Sequence, residues 1–495
     1  MKRILALMLV LLMLLSCLVA CKGDDEGSDG MDNGETSTVI DDSEGTNYLK
    51  MLPEEDLGRE FTLLCSDTKK DQYVTDDDIA SGDVVSNAVF KRNSMVEEYK
   101  GVKIVFNAQN DRWAKDEIFY MTYIRNNVAA GDSPYDAVTV EQTYASAVVR
   151  EGHFYDLLSI ESLDLDAPWW HSSFVENNTV YGKLYMMAGD ISHKVIGTAW
   201  TVFVNRRVAQ NVGVDNFYDL VKNDEWTFEN MMVCAKAVTT DNGEDSVYGL
   251  GLNRHALRFS CLSFAIPVCS RTDDGGYELT MYSDRTEKIY SSLYNAIYSD
   301  DTAVFADNTT DGQMTNIIPK FADDELLFMM MSLDFLQDLK QQEGEILYGI
   351  LPYPKYDKNQ SEYRTAIGNI GVYAALPVDV DDAEFSGKML DALGAAGKTY
   401  VYPAYYENVM QSRTAQDTET VEMLNIIRDS MYFDFAVVHT SAMDSIYSKW
   451  GDPILPAPGG VAPQSFSYSW NSIKVNSGKK LEAVLASYKS LATGE

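Results

Sequence analysis

After the first 56 residues, apolar and polar positions alternate in a way that predicts strands and helices in turn. Apolar runs of strand length lie at Phe61–Cys65, Val102–Phe106 and Tyr135–Val140. Between these runs, apolar residues recur at helical spacing, and each stripe ends at a glycine, Gly101 or Gly131. Strand, helix, strand, helix, strand predicts the beginning of a parallel sheet with right-handed crossovers.

The first 21 residues have the layout of a secretory signal. Lys2 and Arg3 give a cationic start, Ile4–Leu15 is almost wholly apolar, and small Ala20 directly precedes Cys21. The segment resembles the lipobox of bacterial lipoproteins, which implies that Cys21 carries a diacylglycerol thioether and that the protein is anchored on the outer face of the cell membrane. A signal peptide without lipid and an uncleaved anchor are the alternatives, although the apolar run is shorter than the roughly 20 residues that a span needs.

The segment after Cys21 is rich in Gly, Ser, Asp and Glu and has hardly any apolar residue before about Thr46. Such a composition buries too little surface to offset the entropy of ordering. We therefore predict a signal peptide over 1–20 and a flexible acidic linker over 21–56.

Charge and cysteine content exclude several classes of partner. The chain has 40 Lys and Arg against 75 Asp and Glu, so nucleic acid is a poor partner. Apart from Cys17 in the signal and Cys21, four cysteines remain, which is too few for a disulfide scaffold. Cys261 and Cys269 could form a bridge or stay as buried thiols. Five scattered histidines and no CxxC or HExxH motif predict neither a metal site nor a cofactor.

Ligands of parallel sheets meet the loops at the carboxyl ends of strands. That rule selects Asp67 after the first run and Glu141, Gln142 and Tyr144 after the third. For any one of these residues, an ordinary solvated loop position is the alternative.

Short motifs follow one another along the rest of the chain, at Tyr135–Val138, Glu151–Leu158, Tyr181–Tyr185, Thr201–Arg206, Glu225–Glu229, Leu351–Pro354 and Pro403–Glu407. In this order they resemble the extracellular solute-binding proteins (family 1 type) that feed ABC sugar importers. Met329–Ser332 departs from the family pattern, which usually has a Gly-containing turn before a tryptophan, and Leu333 or Asp334 occupies that neighbourhood instead.

The resemblance implies an α/β, two-lobed, hinged fold of the periplasmic-binding-protein type (type II), in which each lobe has a central, mainly parallel sheet flanked by helices. The family's chain path places 57–165 and 323–370 in lobe 1, 171–320 and 375–470 in lobe 2, and a helical segment over 471–495. Hinge candidates are the segments near Asp166–Trp170, Lys320–Asp324 and Asn369–Ala375.

The resemblance also implies a binder without catalytic activity. Its partners are a carbohydrate ligand, the transmembrane subunits of an ABC permease and, through Cys21, the membrane; we expect a monomer. Aromatic faces and carboxylate or amide edges suit sugars. The candidate ligand-binding residues are Asp67, Glu141, Gln142, Tyr144, Asp190, Trp200, Asn253, His255, Asp334 and Tyr405, whereas Trp169 and Trp170 are expected to pack internally.

Three other functions compete with this interpretation. Paired carboxylates would suit an exported glycoside hydrolase. Asp307, Asp311 and Gly312 weakly resemble a calcium loop, but Thr309 and Ile318 stand where ligands should be. A surface adhesin or sensor could keep the fold and deliver its sugar to no permease.

Overall fold

The computed structural model describes most of the chain beyond the linker. The described residues are 46–494 without 75–82, 111–112, 115–116, 132, 215, 241–242, 244–245, 299–302, 309–313, 369 and 411–417. The predicted signal, Cys21 and most of the predicted linker lie outside them. No helix in the described ranges is long and apolar enough to cross a membrane.

Two sheets form the centre of the described chain, one of four strands and one of five. Their strands are β1 (Glu60–Ser66), β2 (Lys103–Gln109), β3 (Ala137–Glu141), β4 (Trp200–Asn205), β5 (Tyr248–Asn253), β6 (Val304–Asp307), β7 (Leu326–Ser332), β8 (Tyr348–Pro352) and β9 (Val372–Ala375). Short two- and three-residue strands pair elsewhere, at Trp113–Ala114 with Glu117–Ile118, Cys269–Arg271 with Tyr277–Leu279, and Thr365–Ala366 with Met431–Tyr432.

Helices cover both sheets. They are α1 (Val84–Lys100), α2 (Phe119–Ala130), α3 (Gln142–Arg150), α4 (Ser172–Asn178), α5 (Lys194–Gly197), α6 (Arg206–Val212), α7 (Phe217–Lys222), α8 (Phe228–Val238), α9 (Arg254–Ser263), α10 (Asp284–Tyr298), α11 (Ile317–Ala322), α12 (Leu336–Lys340), α13 (Ala383–Ala396), α14 (Tyr402–Met410), α15 (Thr418–Asp429), α16 (Phe435–Val438), α17 (Ser448–Ile454) and α18 (Phe466–Thr493). A π-helix over Gly397–Val401 joins α13 to α14, and 3-10 turns include Lys70–Gln72 and Leu333–Phe335.

The first sheet has the order β9-β3-β1-β2 and confirms the predicted opening of the chain. β1 pairs in parallel with both β2 and β3, while β9 joins β3 in the antiparallel sense. The predicted stop at Gly101 is also confirmed, because this residue ends α1 with a φ of 59°, a conformation that favours glycine.

The second sheet has the order β6-β5-β7-β4-β8. β5 pairs in parallel with β6 and β7, but β4 is antiparallel to both β7 and β8. This sheet is mainly parallel as predicted, since β4 alone runs opposite to the other four strands. Every residue of β4 and β7 is buried, which is expected for central strands covered on both faces.

The predicted division of the chain between the lobes is wrong in its second half. Residues 323–370 were assigned to lobe 1, yet β7 and β8 pair in the second sheet, while β9 pairs in the first and includes Ala375. An apolar run such as Leu326–Met331 suits a central strand of either sheet, so its composition does not specify the partner. Within the predicted 375–470 of lobe 2, α13 also packs on α1, which covers the first sheet.

Two segments of the chain connect the first sheet to the second, and the two segments lie side by side. One runs from Met187, which bridges to Ala374 of β9, to Trp200 at the start of β4. The other runs from the end of β8 to the start of β9, and its Ile367 bridges to Ala199. Of the proposed hinges, Asn369–Ala375 overlaps this second segment, although Asn369 itself is outside the described residues. Lys320–Asp324 forms the end of α11 and the turn toward β7, so it does not connect the two sheets.

The predicted helical segment over 471–495 corresponds to α18 (Phe466–Thr493). Leu481, Val484 and Tyr488 form its buried face. The Tyr488 hydroxyl and His439 Nε2 form a hydrogen bond of 3.0 Å, and the other ring nitrogen of His439 lies 2.7 Å from Ser146 Oγ on α3. The terminal helix therefore packs back on the body.

Candidate functional site

A cavity of about 340 Å³ lies where the chain after β1 meets the chain after β7. The first sheet contributes the turn and helix start that follow β1, and the second sheet contributes the turn and helix that follow β7. The cavity is lined by Asp71, Asp83, Val85, Ser86, His193, Lys194, Leu333, Asp334, Leu336, Gln337, Tyr405, Asn408 and Val409. Because elements of both sheets meet here, the cavity is the best candidate for a site between the two lobes.

Asp334 is one of the three aspartates that line this cavity. It stands in the 3-10 turn that follows β7, and it is half-buried. Burial raises the pKa of its carboxyl group above the ordinary aspartate value, while Lys194 and Lys69 lower it in part. Among the described residues, no group donates a hydrogen bond to this carboxylate. Asp334 therefore offers acceptor oxygens to a molecule in the cavity.

Tyr405 and His193 form an aromatic wall beside Asp334. Their ring centroids lie 5.7 Å apart with an angle of 35° between the planes. Burial lowers the pKa of His193 to about 3, so its ring is neutral at physiological pH. His193 Nδ1 is buried and has no hydrogen-bond partner within the described chain. The wall thus combines a flat apolar surface with a polar ring atom.

Lys69 connects this cavity to the edge of the first sheet. Its Nζ lies 3.6 Å from Glu141 Oε2, and it is one of the two cations that act on Asp334. Two further predicted residues lie along the same edge, since the Asp67 amide donates to Gln109 O at 2.8 Å and Glu141 ends β3. The structure therefore brings Asp334 and Tyr405 together in the cavity and places Asp67 and Glu141 next to Lys69.

Gln142 and Tyr144, which were also predicted to bind ligand, make internal contacts that pack α3 against its neighbours. The Gln142 side chain donates to Val437 O at 2.7 Å and accepts from the Tyr373 hydroxyl at 2.6 Å. The Tyr144 ring is buried and packs on Tyr120, with 6.5 Å between ring centroids. Neither residue lines the cavity.

Asp190 belongs to a buried charge cluster in the segment before β4. Its Oδ2 accepts from Arg428 Nη2 at 2.6 Å, and Lys398 Nζ lies 3.9 Å away. The side chain is fully buried, and burial raises its carboxyl pKa although Arg428 opposes the shift. This carboxylate is paired within the protein and does not face the cavity.

Trp200, Asn253 and His255 lie near the carboxyl end of β5 but outside the cavity. Trp200 is buried and stacks on Phe259, with 5.3 Å between ring centroids. Asn253 caps α9, because its Oδ1 accepts from the Ala256 amide at 3.0 Å. His255 Nε2 lies 3.5 Å from Arg258 Nη1. Trp169 and Trp170 pack internally as predicted and donate their indole hydrogens to Asp391 Oδ1 at 2.8 and 2.7 Å.

Several lining residues were missed by the sequence analysis. His193 and Lys194 lie in the segment that crosses between the sheets, and Gln337 and Asn408 lie on α12 and α14. Their proximity to Trp200, Asp334 and Tyr405 along the chain is the only signal that could have indicated them.

The described part of the chain offers no group of His, Cys, Asp or Glu side chains that could hold a metal ion. Cys65, Cys234, Cys261 and Cys269 are free thiols, so the bridge considered for Cys261 and Cys269 is not formed. Burial raises the pKa of each of these thiols. The polar groups that line the cavity are carboxylates, amides, a hydroxyl, an imidazole, a phenol and an ammonium group.

No protein-family model matches the sequence, and no curated protein matches it. Among solved structures, the chain is similar to UspC from M. tuberculosis, with a TM-score of 0.55 and 11% identity over 85% of this chain and 100% of that chain. It is also similar to a sugar transporter from Rhizobium etli in an open conformation, with a TM-score of 0.52 and 14% identity over 86% of this chain and 99% of that one.

A third similar structure is the galacto-N-biose/lacto-N-biose I-binding protein of an ABC transporter from Bifidobacterium longum, in complex with lacto-N-biose. Its TM-score is 0.52, with 13% identity over 86% of this chain and 98% of that chain. At such identities the likeness is one of fold. The predicted resemblance is confirmed at that level, and the chain has the two-lobed α/β fold of the periplasmic binding proteins, which the sugar-binding proteins of ABC transporters share.

Proposed function

We propose that this chain is the extracellular, lipid-anchored binding protein of an ABC importer, and that it captures a carbohydrate without altering it. The observation that carries the proposal is the cavity at Asp334 and Tyr405, which elements of both sheets line. Two-lobed binding proteins hold their ligands at such a position and close on them by a hinge motion.

The lining provides the contacts that a sugar requires. Sugar hydroxyls donate hydrogen bonds, and Asp334 offers a carboxylate whose oxygens are not used by described protein donors. Gln337 and Asn408 add amide groups, and Tyr405 adds an aromatic surface for the apolar face of a pyranose ring. Hydrogen bonds to a charged acceptor are about twice as strong as neutral ones, so Asp334 is the residue we expect to contribute most to affinity.

The charges of the lining favour a neutral sugar over an acidic one. Asp71, Asp83 and Asp334 contribute carboxylates, whereas Lys194 is the one cation among the described lining residues. A uronate or a sugar phosphate would meet like charges here, which is unfavourable in a partly desolvated site. The overall charge of −35 acts in the same direction.

Proteins of the same fold support carbohydrate as the ligand class. The Bifidobacterium longum protein binds lacto-N-biose, and the Rhizobium etli protein is a sugar transporter. Ligand would favour a closed form through its higher affinity for that form, with the two segments between the sheets as the hinge. The membrane permease would then recognise the closed protein.

The anchor is a separate part of the proposal. Two acyl chains on Cys21 would hold the protein firmly, because each buried methylene contributes about 0.8 kcal/mol. We expect Cys21→Ala to release the protein from membrane fractions without changing sugar affinity. Fractionation in which the variant stays with the membrane would contradict the lipid anchor and leave the binding proposal unaffected.

A thermal-shift screen against a panel of neutral, amino and acidic mono- and oligosaccharides tests the binding proposal. A ligand at 100 times its dissociation constant should add about 2.7 kcal/mol to the free energy of unfolding. Asp334→Ala should lose that gain. Asp338→Ala is the matched control, since Asp338 is exposed on the neighbouring α12 and does not line the cavity. A panel in which no sugar raises the unfolding temperature would contradict the proposal.

A further inference from the structure

A second groove lies at the carboxyl end of β2, outside the cavity described above. It has a volume of about 320 Å³ and lies between the end of β2 and the exposed face of α2. It is lined by Gln109, Asn110, Phe119, Thr122, Tyr123 and Asn126.

The lining of this groove is aromatic and amide in character. Phe119 is 53% exposed, so a large apolar ring is open to solvent in this groove. Gln109, Asn110 and Asn126 place carboxamide groups around it, and the Gln109 side chain is held by a hydrogen bond of 2.6 Å to Asn107 Oδ1. None of the lining side chains is charged. A flat apolar surface bordered by amides suits a neutral sugar ring, whereas a charged peptide or an anionic surface would find no opposite charge here.

The groove and the cavity are both bordered by the chain at the carboxyl edge of the first sheet. β1 and β2 end side by side, with Ser66 opposite Gln109 in the register. The Asp67 amide donates to Gln109 O at 2.8 Å, and Asp71, four residues further on, lines the cavity. The Cα atoms of Asp67 and Asp71 therefore lie within about 14 Å of each other. One short loop borders the cavity on one side and contacts the edge of the groove on the other.

We propose that this groove is a second contact site for the same ligand, so that the ligand is a neutral oligosaccharide that extends from the cavity at Asp334 across the loop after β1 to Phe119. The inference rests on the proposed function and makes it more specific. One end of the oligosaccharide is bound at Asp334 and Tyr405, and a later sugar unit stacks on Phe119. Monosaccharides and short oligosaccharides reach only the cavity.

Calorimetric titration with ladders of neutral oligosaccharides tests this inference. The probes are gluco-, galacto-, manno- and xylo-oligosaccharides from the disaccharide to the heptasaccharide. In the ladder that binds, affinity should rise with length and then level off. Phe119→Ala should weaken the longest members by about tenfold and leave the disaccharide unchanged, because only the longer chains reach the ring.

Two further variants provide a second test of the groove and a control. Asn126→Ala should reduce the same length-dependent gain through an exposed amide whose loss leaves the core intact. Val233→Ala removes an apolar side chain that is 62% exposed on another surface and should change nothing. Binding that is independent of length, or a Phe119→Ala variant with the wild-type length dependence, would overturn the second site and leave the binding protein in place. A wild-type protein that binds no ladder at all would contradict the proposed function itself.

Discussion

Gly197 lies directly against the carboxylate of Asp334. A Cβ atom built at position 197 would come within 2.3 Å of Asp334 Oδ1, closer than real Cβ atoms approach another heavy atom. Gly197 ends the short helix α5, and its backbone needs no left-handed conformation there. The absence of a side chain at 197 therefore serves the position of Asp334 rather than the turn itself.

We predict that Gly197→Ala weakens ligand binding with little effect on folding. The added methyl group displaces the end of a flexible side chain, which is a small steric cost, but it moves the carboxylate away from its place in the cavity. A hydrogen bond to a charged group is worth about 1.5 to 3 kcal/mol, so affinity should fall by roughly tenfold to a hundredfold. Isothermal titration and urea denaturation measure the two effects.

The matched control is Gly478→Ala. Position 478 lies within α18 and has no atom within 4 Å of its built Cβ. Alanine there should raise the free energy of unfolding by about 0.5 to 1 kcal/mol and leave affinity unchanged. Wild-type affinity in Gly197→Ala would show that Asp334 does not bind the ligand in its observed position.

Ligand binding should weaken as the pH falls, and Asp334 should be the cause. Burial raises the pKa of this carboxyl, so it takes up a proton at a higher pH than an exposed aspartate does. The protonated acid loses its charge and part of its acceptor strength. Lys194, Lys69 and Tyr405 face it, and the cations limit the shift.

Affinity should therefore decline on acidification, and the decline should begin at a higher pH than the protonation of an exposed aspartate would give. Asp334→Asn should bind more weakly at neutral pH and show no such decline, since an amide does not titrate. Titrations of both proteins over the same pH series make the comparison. Parallel pH profiles would assign the effect to another group.

Asn253→Ala should lower stability rather than affinity. Asn253 Oδ1 accepts from the Ala256 amide and caps α9, and loss of such a cap costs about 1 kcal/mol. Asn253→Asp should restore most of the loss, because aspartate is an equally good cap. Urea denaturation gives the stabilities, and sugar titration of folded protein gives the affinity. Affinity lost in the alanine variant and not regained in the aspartate variant would place Asn253 in the binding site after all.

Arg428→Met should be among the most destabilising single changes outside the core. It leaves Lys398, whose Nζ lies 3.9 Å away, as the remaining described cation beside the fully buried Asp190 carboxylate, and removal of one partner of a buried pair typically costs about 3 to 5 kcal/mol. The double variant Asp190→Asn with Arg428→Met should recover part of that loss, because no unpaired charge stays buried. Equal stability of the single and double variants would contradict a structural role for the pair.

The local structure of the first sheet could be predicted from the sequence. Phe61–Cys65 and Tyr135–Val140 alternate with helical stripes that end at glycines, so their order along the chain is enough to predict parallel pairing. Leu326–Met331 shows where this reasoning stops. Its unbroken apolar character predicts a strand that is buried on both faces. Its pairing with β4 and β5 depends on contacts with residues far away in the sequence.

For the same reason, some of the candidate binding residues line the cavity and others do not. Asp334 and Tyr405 were selected by position in a family-like pattern, and both line the cavity. Asp190 looked equally suitable, but Arg428 pairs with it from 238 residues away. An aspartate near a strand has the same local sequence whether it faces a cavity or a buried guanidinium. Only the folded chain shows which of the two applies.

Calorimetric titration of the purified protein with the best sugar from the screen, followed by chemical analysis of the recovered sugar, tests the central claim most directly. The account predicts saturable binding with one sugar per chain, loss of binding in the Asp334→Ala, Tyr405→Ala double variant, wild-type binding in the Asp338→Ala, Tyr468→Ala control, and sugar recovered unchanged. Wild-type affinity in the double variant, or recovery of a cleaved or modified sugar, would contradict it.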